Sequence, residues 1–471
     1  HYDVACLMHL KYRHLYVCSS IRHNTWYEFK KHRWQDLPKA RDLRKKMSEE
    51  IAREYAKLSA FYRRKSLEAP DDKMIQKKVD ACDAAFKNVK NRSFKDKVVL
   101  DCEDLFDDEK FESVLDSNHN LVGFENGVYD LDKMVFREGR PDDYVSFCMG
   151  VEYQQFDPES EESKGLNDFL AKVLPDPDIR KYVLTVVSTF LSGKIDQQRM
   201  QIWTGTGSNG KSKFMDLIQY TFGDYAQPLP VTVFTYKRSG PGTANPEIAK
   251  CKGKRIALLQ EPEKKDQIQV GFFKEAVAGD TLQARGLFKE PIEFKPQLKW
   301  VMACNDLPQI PSTDYGTWRR LHVVHFASKF IDNPDPEKPN EYQKDETVSE
   351  KLHLWKTVFA SMLIEIYKVY KKKGLTVPKE VTKHTSAYQR RENTFEDFIE
   401  ETIEESGNEK EYIPINDAFM RYKSWYQESC SKAAPPRTEF RDCMEKRFGP
   451  PNKRLGWRGL RFKDDDNDDA L

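Results

Sequence analysis

The chain is poor in the features that would mark a membrane protein, a disulfide scaffold or a metal centre. No apolar run among its 471 residues approaches the roughly 18 that a membrane-spanning helix needs, and no leader-like segment opens it, so no membrane partner is expected. Its nine cysteines are scattered, with no C-x-x-C pair and no Cys/His grouping at zinc spacing. They read as reduced, mostly buried thiols of an intracellular, reducing setting. The ten histidines show no ligand spacing either. His322 and His325 lie three apart beside a strand-like run, a placement that suits core or surface better than a metal. There are no internal repeats, and the chain opens on His1 rather than Met, which reads as a piece of a longer protein.

The chain also has almost no net charge, at +1; 32% charged and 39% hydrophobic residues suit a globular protein, and 471 residues fit about three domains. That balance hides local asymmetry. Basic clusters at Lys30-Lys31, Arg44-Lys45-Lys46 and Arg63-Arg64-Lys65 lie beside Trp26, Tyr27, Phe29 and Trp34. Such a basic, aromatic face suits nucleic acid, although a solvated charged surface would be written the same way. The last eight residues form an acidic tail.

What the chain does carry is Gly205-Thr206-Gly207-Ser208-Asn209-Gly210-Lys211-Ser212, a full match to the phosphate-binding loop G-x-x-x-x-G-K-[ST]. Glycines let successive amides turn toward phosphates, Lys211 neutralises the β- and γ-phosphates, and the Ser212 hydroxyl can hold Mg²⁺. Met200-Gln201-Ile202-Trp203 ahead of it suits a buried strand, and Phe214, Leu217, Ile218 and Phe222 behind it fall at helical spacing. The phosphates of ATP are therefore expected at a helix N-terminus.

Such a loop needs a strand-borne acid. Arg255 to Glu263 offers a short apolar strand ending in Glu261 and Glu263; Glu261 is expected at the metal or the attacking water, with Glu263 its companion or substitute. A further strand, Trp300 to Cys304, ends in Asn305, whose amide can bond a γ-phosphate or orient water. Arg319 and Arg320 precede another strand and can stabilise a transferring phosphoryl group, often from a neighbouring subunit. Between them, alternation on both sides of Gly286 predicts a β-hairpin whose tip carries Arg285, Phe288 and Lys289, two cations and an aromatic suited to phosphates and a base.

Residues 1–160 are expected to form a basic, largely helical unit, with a strand pair at 15–18 and 25–29, a long helix from Arg41 to Leu67, a second to Asn88, and β-hairpins at 121–153. Residues 161–330 alternate strands and helices, which predicts an α/β core. A Pro-rich connection and long helix (331–378), a small helical module with a late hairpin at Gly456–Phe462 (379–463) and the acidic tail (464–471) complete the expected order.

This series of loop, Glu261 strand, hairpin, Asn305 strand and arginine pair resembles the superfamily 3 helicases. With Phe124-Glu125-Asn126-Gly127-Val128-Tyr129-Asp130-Leu131 it is similar to the poxvirus-type primase-helicases of large DNA viruses and their phage and plasmid relatives. The resemblance covers about residues 120–330 well, and the rest more loosely. It implies an α/β, AAA+-like P-loop core, a mixed, largely helical N-terminal domain and a C-terminal winged-helix-like module. It further implies a ring-shaped homohexamer moving on single-stranded or forked DNA, with ATP and Mg²⁺ at subunit interfaces and a primase domain upstream or in trans. By the same resemblance Asn305 is the sensor, Arg319 or Arg320 the trans finger, and Lys289 part of a DNA-tracking hairpin. The setting it implies is a viral replication site in the host cytoplasm. In one departure, a proline separates Glu261 from Glu263 where the family places adjacent acids. No primase active site is expected, because Val128 to Asp132 reads as a hairpin strand. Two other functions remain compatible with these residues: an ATPase remodelling or packaging RNA or protein, and a DNA-binding ring scaffold with a structural ATP site.

Overall fold

A computed structural model describes residues 1–237, 244–262, 266–287, 290–312, 314–392, 394–430 and 434–463. The chain opens with α1 (Tyr2–Tyr12) and an antiparallel sheet of β1 (Tyr16–Ser20), β2 (Thr25–Lys30) and β3 (Arg33–Asp36). The first two strands match the expected pair. The third escaped notice because its turn is made by Lys31 and His32, both at positive φ (48° and 67°), without the glycine or asparagine that usually announces such a turn. α2 (Arg41–Lys46) continues through a π-turn at Met47–Ile51 into α3 (Ala52–Glu68), so the expected long basic helix forms with one widened turn. α4 (Lys73–Asn88) starts where Asp72 accepts from the amides of Met74 (2.8 Å) and Ile75 (3.4 Å), and α5 (Arg92–Leu105) where Asn91 accepts from Phe94 N (3.2 Å). With Val4, Met8, Trp26, Leu43, Ile51, Val98 and Phe106 these elements bury a core of their own.

After α6 (Phe111–Val114), β4 (Leu121–Phe124), β5 (Gly127–Asp130) and β6 (Val135–Arg137) form a second antiparallel sheet. Two hairpins, β4–β5 and β5–β6, thus form within the stretch where hairpins are expected. Gly139 lies against the backbone of His32, leaving no room for a side chain, and the chain then crosses between sheets through single bonds from Trp34 N to Val145 O (2.8 Å) and Met149 N to Gly123 O (2.8 Å). Two capped helices follow, α7 (Glu161–Val173) behind Ser160 and α8 (Pro177–Thr189) behind Asp176 with proline in its first turn.

The centre is a five-stranded, all-parallel sheet. Its strands are β7 (Met200–Thr204), β8 (Ala226–Pro230), β9 (Ile256–Gln260), β12 (Lys299–Cys304) and β13 (Leu321–His325), in the order β13-β7-β12-β9-β8. Between them come α9 (Lys211–Phe222), α10 (Thr232–Thr235), α11 (Pro246–Ala249), α12 (Val270–Ala278), the antiparallel pair β10 (Leu282–Arg285) and β11 (Pro291–Phe294), and α13 (Tyr315–Trp318). Alternate residues go to opposite faces, and both faces are buried. Trp203, Leu258, Val301 and Val324 pack under α8, α9 and the β4–β6 sheet, whereas Ile202, Leu259, Met302 and Val323 pack under α12 and the hairpin.

β14 (Lys329–Ile331) and β15 (Glu341–Gln343) lead to α14 (Val348–Lys373), which packs on α8 and α9, and to α15 (Lys379–Glu392), which lies along β13. Residues 394–463 hold α16 (Thr394–Thr402), β16 (Ile403–Glu405), β17 (Tyr412–Ile413), α17 (Ile415–Cys430), α18 (Arg437–Phe448), β18 (Trp457–Arg458) and β19 (Leu460–Phe462) around a separate core that includes Phe398, Tyr422, Phe440 and Trp457. The late hairpin takes another form. β18 and β19, joined by Gly459 alone, pair outward with β17 and β16, because a one-residue link cannot fold two strands onto each other.

Arg255 locks these layers at the start of β9. It is buried, and its guanidinium donates to four carbonyls: His119 (2.9 Å), Leu191 (2.6 Å), Asn118 (3.2 Å) and Leu121 (3.0 Å). Arg255→Met is expected to cost on the order of 3 kcal/mol, because the orphaned carbonyls stay buried. Urea unfolding should show the loss as a lower midpoint with unchanged slope.

Candidate functional site

Residues 205–212 bridge β7 and α9. Three of them take the left-handed conformation: Gly207 (φ 89°), Ser208 (φ 48°) and Gly210 (φ 81°). Gly210 is doubly required, since a side chain there would also approach Val173 Cγ2 to 2.8 Å. Gly210, the residue before α9, offers no side-chain cap. Asn209 is buried; its Oδ1 accepts from Lys211 N (3.4 Å), and its Nδ2 has no partner among the described residues. A helix start, an unsatisfied buried donor and an adjoining cavity of about 260 Å³ fit a polyphosphate.

Lys211 is the centre of the arrangement. Only 5% exposed, it donates from Nζ to Gly205 O (3.3 Å) and Asn305 Oδ1 (3.1 Å). Burial pulls its ammonium below the ordinary lysine range, and the charge of Glu261 pulls the other way. β12 makes the meeting possible by lying between β7 and β9, with Cys304 opposite Thr204 and Ala303 opposite Gln260. Asn305 and Glu261 consequently leave the sheet at the same edge as the loop, and Thr204 Oγ1 donates to Asn305 O (3.2 Å). Glu261 lines the cavity with an exposed side chain and a left-handed backbone (φ 50°), held by its amide bond to Ala303 O (2.9 Å). Cys304, also in the lining, has a thiol pushed up to about 12 by burial. Ser212 lies in the same wall.

Arg285, Arg319 and Arg320 are not brought here. Met200 N donates to Arg320 O (2.8 Å), which puts Arg319 and Arg320 at the start of β13 while the loop follows the end of β7. At about 3.3 Å per residue the five-residue strand separates them from their own loop by roughly 16 Å. Arg319 is exposed; Arg320 donates to Gly316 O (2.6 Å) while its Nε stays unpaired. Arg285 ends β10 opposite Pro291, with its amide bonded to Asn245 Oδ1 (2.7 Å). Glu263, Phe288 and Lys289 lie outside the described residues.

α15, expected as part of the small helical module, lies instead along β13. Arg391 rests on the Tyr388 ring (5.1 Å) and contacts Leu307 O (3.5 Å), while Glu392 accepts from Ile310 N (3.0 Å), so the helix grips the segment after Asn305. No local pattern links residue 391 to 307; only the crossing of α15 over β13 does. His322 is a core residue, as expected, with its Nδ1 against the Tyr182 hydroxyl, which also donates to Gln201 Oε1 (3.1 Å). Among the described residues no cluster of three or more His, Cys, Asp or Glu side chains could hold a metal, and no helix is long and apolar enough to cross a membrane.

Residues 5–175 match the family described as D5 N terminal like, and residues 203–320 match a family of unknown function. Over 463 residues the chain is 39% identical to a protein of Acanthamoeba polyphaga mimivirus named "Putative helicase", covering 96% of this chain and 48% of that one. A protein of the same name from Invertebrate iridescent virus 3 is 30% identical, covering 74% of this chain and 39% of its own length. One named "Putative primase" from African swine fever virus is 29% identical, covering 71% and 36%. The chain thus spans half or less of the length of these relatives. Among solved structures, the apo form of the NrS-1 C terminal region aligns over 66% of this chain and 76% of that one, at 14% identity and a TM-score of 0.42.

Burial, with Arg199's charge second, lowers His322 from 6.5 to about 4. The unfolded chain then takes up a proton that the folded one refuses, so this contribution to stability is full above about pH 6.5 and drains away toward pH 4. Replacing His322 by Gln should flatten the fall of the melting temperature across that window relative to the parent protein.

Proposed function

We propose that this chain, which belongs with the primase-helicases of large DNA viruses, is the helicase part of such a protein: an ATP-driven motor of superfamily 3 type that moves on single-stranded DNA as a ring. The observation that carries this reading is the Lys211 Nζ to Asn305 Oδ1 bond of 3.1 Å, made at one sheet edge together with Glu261. A P-loop lysine, a strand-end amide and a strand-end acid on three adjacent parallel strands are the parts that positioning and electrostatic catalysis of phosphoryl transfer require.

In this reading the first-turn amides of α9 and Lys211 hold the β- and γ-phosphates. Ser212 and Glu261, with Glu263 as companion or substitute, would hold Mg²⁺, which would neutralise charge on the transferring group. Glu261 orients and deprotonates water, and Asn305, hydrogen-bonded to Lys211, also bonds the γ-phosphate. Arg319 and Arg320 lie too far from their own loop to touch its nucleotide, so a role in catalysis puts them against the loop of a neighbouring copy. That geometry favours a closed ring, with a hexamer as the family's usual number. The hairpin of Arg285, Phe288 and Lys289 grips the strand, a primase domain acts upstream or in trans, and the work is done at a viral replication site in the host cytoplasm.

Single-stranded DNA is expected to stimulate ATP hydrolysis, and a protein with no such stimulation is not a motor. Lys211→Ala should abolish unwinding of forked DNA while leaving DNA binding largely intact. Glu261→Gln should keep nucleotide binding and lose about 10²-fold or more in hydrolysis rate. Equal unwinding of RNA forks would move the substrate from DNA to RNA, and a mass measurement with ATP present reads the assembly state.

A further inference from the structure

The loop has two flanks, and the hydrolytic groups occupy only one. Asn305 and Glu261 stand on the side of β12 and β9; on the other side of β7 lies β13. There a second cavity of about 470 Å³ opens beside the loop, a size within the roughly 300–1,000 Å³ of small-molecule sites. Its lining comes from three separated stretches: Pro175 and Ile179 at the start of α8, His325 and Asn340 around β13–β15, and Glu380 and His384 on α15.

The cavity is joined to the loop by backbone. His325 lies opposite Thr204, the residue before Gly205, and Phe326 N donates to Thr204 O (2.8 Å). One step further out, Phe330 N donates to Ser208 O (2.7 Å), and Lys329 N to Asn340 O (2.9 Å). A nucleotide bound with its terminal phosphates toward Asn305 and Glu261 would direct its other end toward this flank.

The chemistry of the walls suits that other end. The rings of His325 and His384 lie 5.4 Å apart at a tilt of 32°. Burial, then the charges of His384 and Lys211, hold the His325 imidazole below its ordinary range, so its ring is neutral near pH 7. Imidazole faces beside Pro175 and Ile179 offer a flat, weakly polar surface on which a base can stack. Of the two carboxylates present, Asp176 already accepts from Asp178 N (2.8 Å) and Ile179 N (3.1 Å), whereas Glu380 is exposed and pairs with Lys383 at 3.8 Å. A carboxylate so placed accepts hydrogen bonds from ribose hydroxyls. α15 is fixed over the cavity by Thr385, whose Oγ1 accepts from Val323 N (3.0 Å).

We propose that this cavity receives the nucleobase and ribose of the nucleoside triphosphate, with His384 and His325 stacking the base and Glu380 bonding the sugar. The assignment rests on the phosphate-loop reading, and one titration separates the two. Affinities of the full chain for ATP and for inorganic tripolyphosphate are measured by calorimetry in the parent protein, His384→Ala, His384→Phe, Glu380→Gln and Lys211→Ala. His384→Ala is expected to weaken ATP about tenfold and leave tripolyphosphate unchanged, and His384→Phe to retain ATP affinity because it keeps a stacking face. Glu380→Gln should weaken ATP more than 2′-deoxy-ATP. ATP affinity untouched by both His384→Ala and Glu380→Gln overturns the proposal, as does equal weakening of ATP and tripolyphosphate in His384→Ala, which marks a structural role only. Lys211→Ala should weaken both ligands; if it weakens neither, the phosphate-loop reading fails, and this one with it.

Discussion

Everything at the candidate site depends on one strand being where it is. β12 enters the sheet between β7 and β9, so the loop, Asn305 and Glu261 emerge side by side although residues 205, 261 and 305 are far apart in the chain. Parallel strands all present their carboxyl ends to one edge, and ligands of open α/β sheets bind there. The bond between Lys211 and Asn305 is the consequence. A buried ammonium needs acceptors, and the amide supplies one without a second charge.

The opposite edge of the same sheet is held by cations of a different kind. Arg255 satisfies four carbonyls from the segments around 118–121 and 191, and the half-buried Lys299 at the start of β12 has its ammonium against Ser192 O and is held well below the ordinary lysine range by desolvation. These bonds tie the β4–β6 sheet and α8 to the strand starts. A rigid lower edge lets the upper edge carry strain at Ser208 and Glu261 without distorting the core.

The site is one-sided as well. The acid, the amide and the lysine converge on one flank of the loop, the histidine cavity opens on the other, and the arginine pair lies at the far end of β13. α15 links the first two regions physically, touching the cavity with His384 and the segment beyond Asn305 with Arg391 and Glu392. The separation of the arginines from the loop follows from the direction of β13.

The sequence by itself determined the pieces that short-range physics writes. The glycine spacing marked the loop, short apolar runs marked the strands around Ile202, Leu258 and Met302, and helical spacing marked the helix that follows Lys211. It also marked Lys211, Glu261 and Asn305 as candidates. It failed where the local signal was atypical, as at the Lys31-His32 turn, or where a one-residue link at Gly459 sent two strands to different partners. Strand order, the meeting of Lys211 with Asn305, the distance of Arg319 and Arg320 from the loop, and the cavity between α8, β13 and α15 were decided only by the tertiary structure. Each is a contact between residues tens to hundreds of positions apart, and the entropy of closing such loops is recovered only through the packing of the whole core.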